Sequence, residues 1–188
     1  MDTRQKLHRV FFALWPDDSV RRAIRKHATP CIESLKGRVT STSRLHVTMH
    51  FIGSVSDKEL ACMHEAASAV KAARFSLTLD SFGYFKRPRI LWMGATEAPD
   101  PLLELHSELA KQLGSCGYEH DVRRYSPHVT LMRKCQRRPA CKHDFSITWP
   151  VDSFFLVESV PDRDNPSGGV NYRIIERYPL AEISSSMR

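Results

Sequence analysis

The sequence predicts an α+β fold of mainly antiparallel sheets, and three observations carry that prediction. Segments of strand length outnumber those with helical periodicity. Helices fall between the strands, and no stretch reads as a linker between independent domains. The tripeptide His-Val-Thr occurs twice in strand-like contexts, at 46–48 and 128–130, nearly half a chain apart. Residues i and i+2 of a strand share a face, so each copy presents an imidazole and a hydroxyl together while its valine faces the core. The repetition predicts two similar lobes, each donating one His/Thr pair to a shared cleft.

Taken in order, Arg9–Trp15 reads as a first strand, and Pro16-Asp17-Asp18-Ser19 as a turn capping a helix with Val20, Ala23 and Ile24 on one face. Pro30 is expected to break or end that helix. The first motif strand spans about 45–52 and closes at Gly53. Ser56 and Glu59 form a capping box, and Leu60, Met63, His64, Ala67 and Val70 follow on one helical face. From Phe75 to Met93 the pattern predicts two antiparallel strands with a charged connection, Lys86-Arg87-Pro88-Arg89. Asp100 as N-cap and Pro101 start a helix that buries Leu102, Leu105, His106 and Leu109 and ends near Gly114. The second motif strand, 128–133, is followed by a basic loop to Lys142 and three more strands at 145–150, 154–159 and 172–180. The last two are joined by a turn-rich segment, 162–169, and 184–188 reads as a frayed tail.

With 188 residues the chain can bury roughly 70% of its unfolded surface. Its 26% charged and 41% hydrophobic residues exclude disordered, collagen-like and coiled-coil classes. The five cysteines include no CxxC pair, which predicts reduced, mostly buried thiols rather than a disulfide framework or zinc ribbon. The apolar run 10–15 is too short for a signal peptide or a membrane span, so the expectation is a cytoplasmic monomer with no membrane contact. A net charge of +7 favours a polyanionic partner such as nucleic acid.

Two histidines facing one substrate can serve as base and acid in one turnover. This suits phosphodiester cleavage, where one imidazole takes a proton from attacking water and the other protonates the departing oxygen across phosphorus. Thr48 and Thr130 can donate to the non-bridging oxygens, where charge accumulates. Either tripeptide alone reads as chance, whereas two in matched contexts point to function. A zinc site from His46, His50, His128 and Cys135 ranks lower, because no local metal-ligand spacing is present and threonine is a poor ligand. No metal and no cofactor are expected.

The chain resembles the two-histidine (2H) phosphoesterases, and among them the LigT-like RNA 2′,3′-cyclic phosphodiesterases, also called 2′-5′ RNA ligases. The resemblance runs through Arg9-Val10-Phe11-Phe12-Ala13-Leu14, the segment 46–53 (similar to His-x-Thr-Leu-x-Phe-Leu-Gly), Leu77-Thr78-Leu79, Phe82-Gly83, Leu91-Trp92-Met93-Gly94 and the segment 126–133 (similar to Pro-His-x-Thr-Leu-x-Arg). It implies one bilobal domain over 1–188 with a central cleft and metal-independent opening of an RNA 2′,3′-cyclic phosphate to a 2′-phosphate. It further implies His46 as proton donor, His128 as proton acceptor, and Thr48 and Thr130 as phosphate holders. Met49 departs from the usual leucine, a volume-conserving swap.

Three further residues are candidate substrate contacts. His50, four residues after His46, shares the cleft face under regular alternation. Arg133 lies five residues after His128, so alternation turns it away unless the strand ends or bulges there; the resemblance favours a phosphate role for it. Tyr125 is a candidate base-stacking platform. Lys86, Arg87, Arg89, Arg123 and Arg124 are candidates for contacting RNA phosphates, Phe51 is expected in the core, and the remaining histidines have bland readings. A non-catalytic RNA-end-binding module, small cyclic phosphates as substrates, and 2′-5′ ligation remain as alternatives.

Overall fold

Strand β1 (His8–Leu14) goes straight through the core, with Val10, Phe12 and Leu14 in the main apolar cluster and Phe11 and Ala13 in a smaller one with Val157. The computed structural model describes residues 6–120, 124–141, 144–162 and 169–182. Helix α1 (Asp18–Glu33) starts where the Asp17 carboxylate accepts the Val20 N–H at 2.8 Å. It does not end at Pro30, as the sequence suggested, but runs through it to Glu33. Pro30 lies in the last turn on the exposed side, so the missing N–H leaves a carbonyl that water can reach, while buried Cys31 and Ile32 hold the turn in place. Helix α2 (Asp57–Ser68) carries the expected capping box, and α3 (Asp100–Gly114) buries Leu102, Leu105, Leu109 and Leu113 with Pro99, one residue before the expected Asp100, as its N-cap.

An eight-stranded antiparallel sheet carries the site. Its order is β10 (Val170–Pro179), β9 (Ser153–Pro161), β1, β3 (Val47–Val55), β7 (His128–Arg133), β6 (Ile90–Gly94) and β5 (Ser81–Phe85), with β2 (Arg38–Val39) pairing β7. The stretch read as two strands contains three. Phe75–Leu79 (β4) leaves to pair with β8 (Ile147–Val151) in a separate two-stranded sheet, and β5 forms the hairpin with β6. Gly83 is opposite the Trp92 it faces, and a Cβ there would sit 1.9 Å from the indole, so only glycine lets the ring lie across β5.

The thiol expectation fails for four cysteines. Cys31 is bonded to Cys141 and Cys62 to Cys116, leaving Cys135 free and buried. Partners 110 and 54 residues apart in sequence are joined by tertiary packing, which cysteine spacing could not reveal. Among the described residues, no helix is long and apolar enough to cross a membrane.

Candidate active site

The two halves of the sheet meet at β3 and β7, where Val47 and Val129 are antiparallel partners and both fully buried. Continuing that register one residue each way sets His46 opposite Thr130 and Thr48 opposite His128. Valine points into the core on both strands, so all four polar side chains of the motifs emerge on the other face. The arrangement is close to two-fold symmetric, as the repeated tripeptide predicted.

A second symmetry lies just beyond the motifs. Along β3 the partner of Ala13 is Thr48 but that of Phe12 is His50, so Met49 is an extra residue; along β7 the partner of Trp92 is Thr130 but that of Leu91 is Met132, so Leu131 is extra. Each bulge falls three residues after its histidine and reverses the alternation beyond it. Arg133 is thereby returned to the motif face, which removes the parity conflict. Phe51, its counterpart on β3, is turned out of the core and is 51% exposed, contrary to expectation. The Arg9 guanidinium lies 5.2 Å from the Phe51 ring centroid.

The same bulge moves His50 off the motif face, where the sequence had placed it. It is 3% exposed, donates from Nε2 to the His106 carbonyl at 2.9 Å, and stacks on the His106 ring with centroids 4.1 Å apart. Tyr125 also differs from its expected role. It stacks on His106 at 4.0 Å and donates its hydroxyl to the Thr48 carbonyl at 3.1 Å, bracing the first motif from behind. His106 hydrogen-bonds the Met49 backbone at the bulge itself. Sequence reading assigned His106 to helix packing; its spacing carried no sign of this contact, which depends on the bulge. The four residues weighed as a zinc set do not gather, since His50 is turned towards α3 and the buried Cys135 thiol faces the Met132 carbonyl.

Each motif histidine is oriented alike. Nδ1–H of His46 donates to the Arg44 carbonyl at 2.7 Å, and Nδ1–H of His128 donates to the Ser126 carbonyl at 2.8 Å. A carbonyl cannot donate, so this fixes the neutral tautomer with Nε2 as the proton-accepting nitrogen. Nε2 of His46 accepts from the Thr48 hydroxyl at 3.1 Å. Aromatic walls hold both rings. Trp15 stacks on His46 at 5.4 Å, with Phe11 and Tyr172 completing the enclosure, while Phe85 and Trp92 flank His128 at 5.1 and 5.8 Å. Burial, reinforced by Arg133 and His128, pulls His46 from 6.5 down to about 4 against the opposing Arg44 carbonyl. Burial and Arg133 lower His128 as well. Both imidazoles are therefore neutral at pH 7 until an anion arrives.

Two cavities adjoin at His46 and Arg133. The larger, about 910 Å³, also presents Thr48, Phe51, Arg9 and Tyr172; the smaller, about 410 Å³, presents Thr130, Arg38 and Arg44. Glu158, on the wall of the larger one, belongs to a charged array. His8, bland in the sequence, is buried between Glu158 at 2.7 Å and Asp57 at 2.9 Å, and Arg173 bonds the second Glu158 oxygen. Lys86, Arg87, Arg89 and Arg124 are exposed. Arg123 lies outside the described residues.

Comparison with known proteins agrees with this geometry. The family model described as the 2′-5′ RNA ligase superfamily matches residues 16–163. The RNA 2′,3′-cyclic phosphodiesterase of Escherichia coli strain K12 is 27% identical over 175 residues, covering 93% of this chain and 97% of that protein. The RNA 2′,3′-cyclic phosphodiesterase of Geobacillus stearothermophilus is 31% identical over 183 residues, covering 93% of this chain, which spans 58% of that relative's length. The crystal structure of E. coli LigT complexed with 3′-AMP superposes with a TM-score of 0.84 over 93% of this chain and 99% of that one, at 27% identity. With the antiparallel sheet, the paired motifs and these matches together, the chain belongs to the 2′-5′ RNA ligase superfamily as a LigT-like 2H phosphoesterase.

Proposed function

We propose that this protein hydrolyses RNA 2′,3′-cyclic phosphate ends to 2′-phosphomonoesters, with His46 and His128 as general acid and base. The observation that carries the reading is the pairing of two identically oriented imidazoles, one on each side of the Val47–Val129 contact, on one face of the sheet. His128 Nε2 takes a proton from water as its oxygen attacks phosphorus. The P–O3′ bond breaks, and His46 Nε2–H gives its proton to O3′. Thr48 and Thr130 hydroxyls donate to the non-bridging oxygens, and Arg133 offsets their charge.

Both cavities lie against His46. The nucleoside is on the leaving-group side in an in-line displacement, so this supports His46 as acid and His128 as base. Phe51, with Arg9 over its ring, gives the larger cavity a face on which a base can stack. The exposed Lys86, Arg87 and Arg89 follow Phe85, which contacts His128, and lie where an RNA backbone could pass. The two imidazoles supply both proton transfers, so the reaction is expected to proceed in EDTA.

The test is incubation of the protein with a short RNA ending in a 2′,3′-cyclic phosphate, with EDTA present. A phosphatase-sensitive, periodate-resistant 2′-phosphate end is the expected product. RNA bound with its cyclic end intact would refute turnover in favour of an end-binding module. Turnover only of small cyclic phosphates would refute RNA as the substrate.

A further inference from the structure

We propose that Trp15 is a positioning residue for the acid step: its indole fixes the plane of the His46 ring and favours the imidazolium form that delivers the proton to O3′. The inference rests on the phosphodiesterase reading and adds to it a residue that lies outside both motifs.

Trp15 stands at a corner that the sequence makes stiff. Strand β1 ends at Leu14, and Trp15 continues its alternation, so the indole packs with Phe11 and Ala13 in the smaller apolar cluster. Pro16 follows and holds the residue before it in extended backbone, and Asp17 caps α1 directly afterwards. The indole also borders a cavity of about 430 Å³ that His46 does not line, so shortening it widens an existing cavity rather than hollowing the core.

The two motif histidines are oriented alike by backbone carbonyls, yet their walls differ. Trp15 lies within 9° of parallel to His46 with centroids 5.4 Å apart, an offset stack. Phe11 and Tyr172 meet the same ring at 37° and 90°. At His128, Phe85 stands at 81° and Trp92 at 53°. Among the described residues, a parallel indole is therefore found at one motif histidine and not at the other. The Arg44 carbonyl holds one edge of the His46 ring and the indole holds its plane, which leaves Nε2 a single direction into the cleft.

The stack also sorts the two protonation states. An indole face is electron-rich and attracts a cation more strongly than a neutral ring, so it favours the imidazolium over the imidazole. Burial opposes the charged form, as do Arg133 and His128 on β7. Arg44 and Arg38 line the smaller cavity beside His46, while Arg9 and Glu158 bring opposite charges to the larger one. Behind these, Arg21 of α1 lies over the indole, 6.0 Å from its centroid, and is paired with Asp18 at 2.7 Å, which offsets its charge. Asp17 is engaged in the helix cap. The indole thus supports the proton on the ring that must give one up, and His128, which must start neutral to take one, is flanked by tilted and edge-on rings instead.

Two variants test this: Trp15→Leu removes the aromatic face and Trp15→Phe keeps a weaker one. In NMR titrations with inorganic phosphate bound, His46 in Trp15→Leu should titrate about 0.5 to 1.5 units below its position in the unaltered protein, with His128 unmoved and Trp15→Phe in between. On an RNA end carrying the cyclic phosphate, Trp15→Leu should lower kcat by about 3- to 30-fold with KM little changed, and Trp15→Phe by less. On a nucleoside 2′-ester with p-nitrophenolate as the leaving group, which needs no proton, both variants should stay within about twofold of the unaltered protein. A His46 titration that does not move, or one that moves together with His128, overturns the inference. So do equal losses on the two substrates, or no loss on the cyclic end. The titration needs no turnover, so it decides the stacking effect by itself; an unaltered protein that hydrolyses neither substrate sinks the phosphodiesterase reading instead. Should Trp15→Leu fail to fold, Trp15→Phe carries the same test, and a His46 titration identical to that of the unaltered protein overturns the inference there.

Discussion

Occupation of the cleft by an anion should return a proton to His46. In the free protein, burial with Arg133 and His128 pulls this ring from 6.5 to about 4, which corresponds to about 3 kcal/mol against the imidazolium. A single negative charge about 4 Å from Nε2 contributes about 4 kcal/mol in the opposite direction at an effective dielectric constant of about 20. The two nearly balance, so under the proposed mechanism the substrate's own charge protonates His46 and the empty site holds it neutral. NMR titration of the histidine ring protons between about pH 4 and pH 8, with and without inorganic phosphate, reads this directly. His46 should titrate well below the ordinary histidine range when free and move up by about two units or more when phosphate is bound. Calorimetry at about pH 6 should show proton uptake on binding. An ordinary pKa in the free protein, or one that phosphate does not move, would refute the reasoning.

The remaining expectations concern the site and its scaffold. His46→Ala and His128→Ala should each lower kcat by about 10²- to 10⁴-fold, and Thr48→Val or Thr130→Val by about 10²- to 10³-fold, measured on a cyclic-phosphate RNA end. Stability should fall on acidification. His46 and His50 are held near 4 in the fold against 6.5 unfolded, so the unfolded chain binds more protons between those values. Each ring costs nothing above about pH 6.5 and up to about 3 kcal/mol by pH 4, visible in urea melts at a series of pH values. His8→Ala leaves Glu158 buried with Arg173 as its remaining partner among the described residues and should cost about 2 to 4 kcal/mol in the same melts.

The parts of this protein that could be read from its sequence are those set by local periodicity and repetition. Alternation located the strands, the Ser56–Glu59 box located α2, and the doubled His-Val-Thr placed four polar groups on one face. What escaped depends on pairing partners distant in sequence. A bulge is a mismatch between two strands, so Met49 and Leu131 carry no signal of it along their own segments. From those two residues follow three departures from alternation: Arg133 enters the cleft, Phe51 leaves the core, and His50 turns to α3. His8, Tyr125 and the two disulfides escaped for the same reason, since each has its partner on another element. Strand β2 is too short to show a period, and without it the pairing of Arg38 with Arg133 is invisible.

The assignment of His46 as acid and His128 as base is tested most directly by changing the leaving group. In a nucleoside 2′-(p-nitrophenyl phosphate) the departing oxygen is a weak base that needs no proton, while attack by water still needs one removed. The account predicts that His46→Ala hydrolyses this ester within about tenfold of the unaltered protein's rate while losing its activity on the cyclic phosphate, and that His128→Ala fails on both. Equal losses on the two substrates for His46→Ala, or recovery by His128→Ala instead, would contradict it.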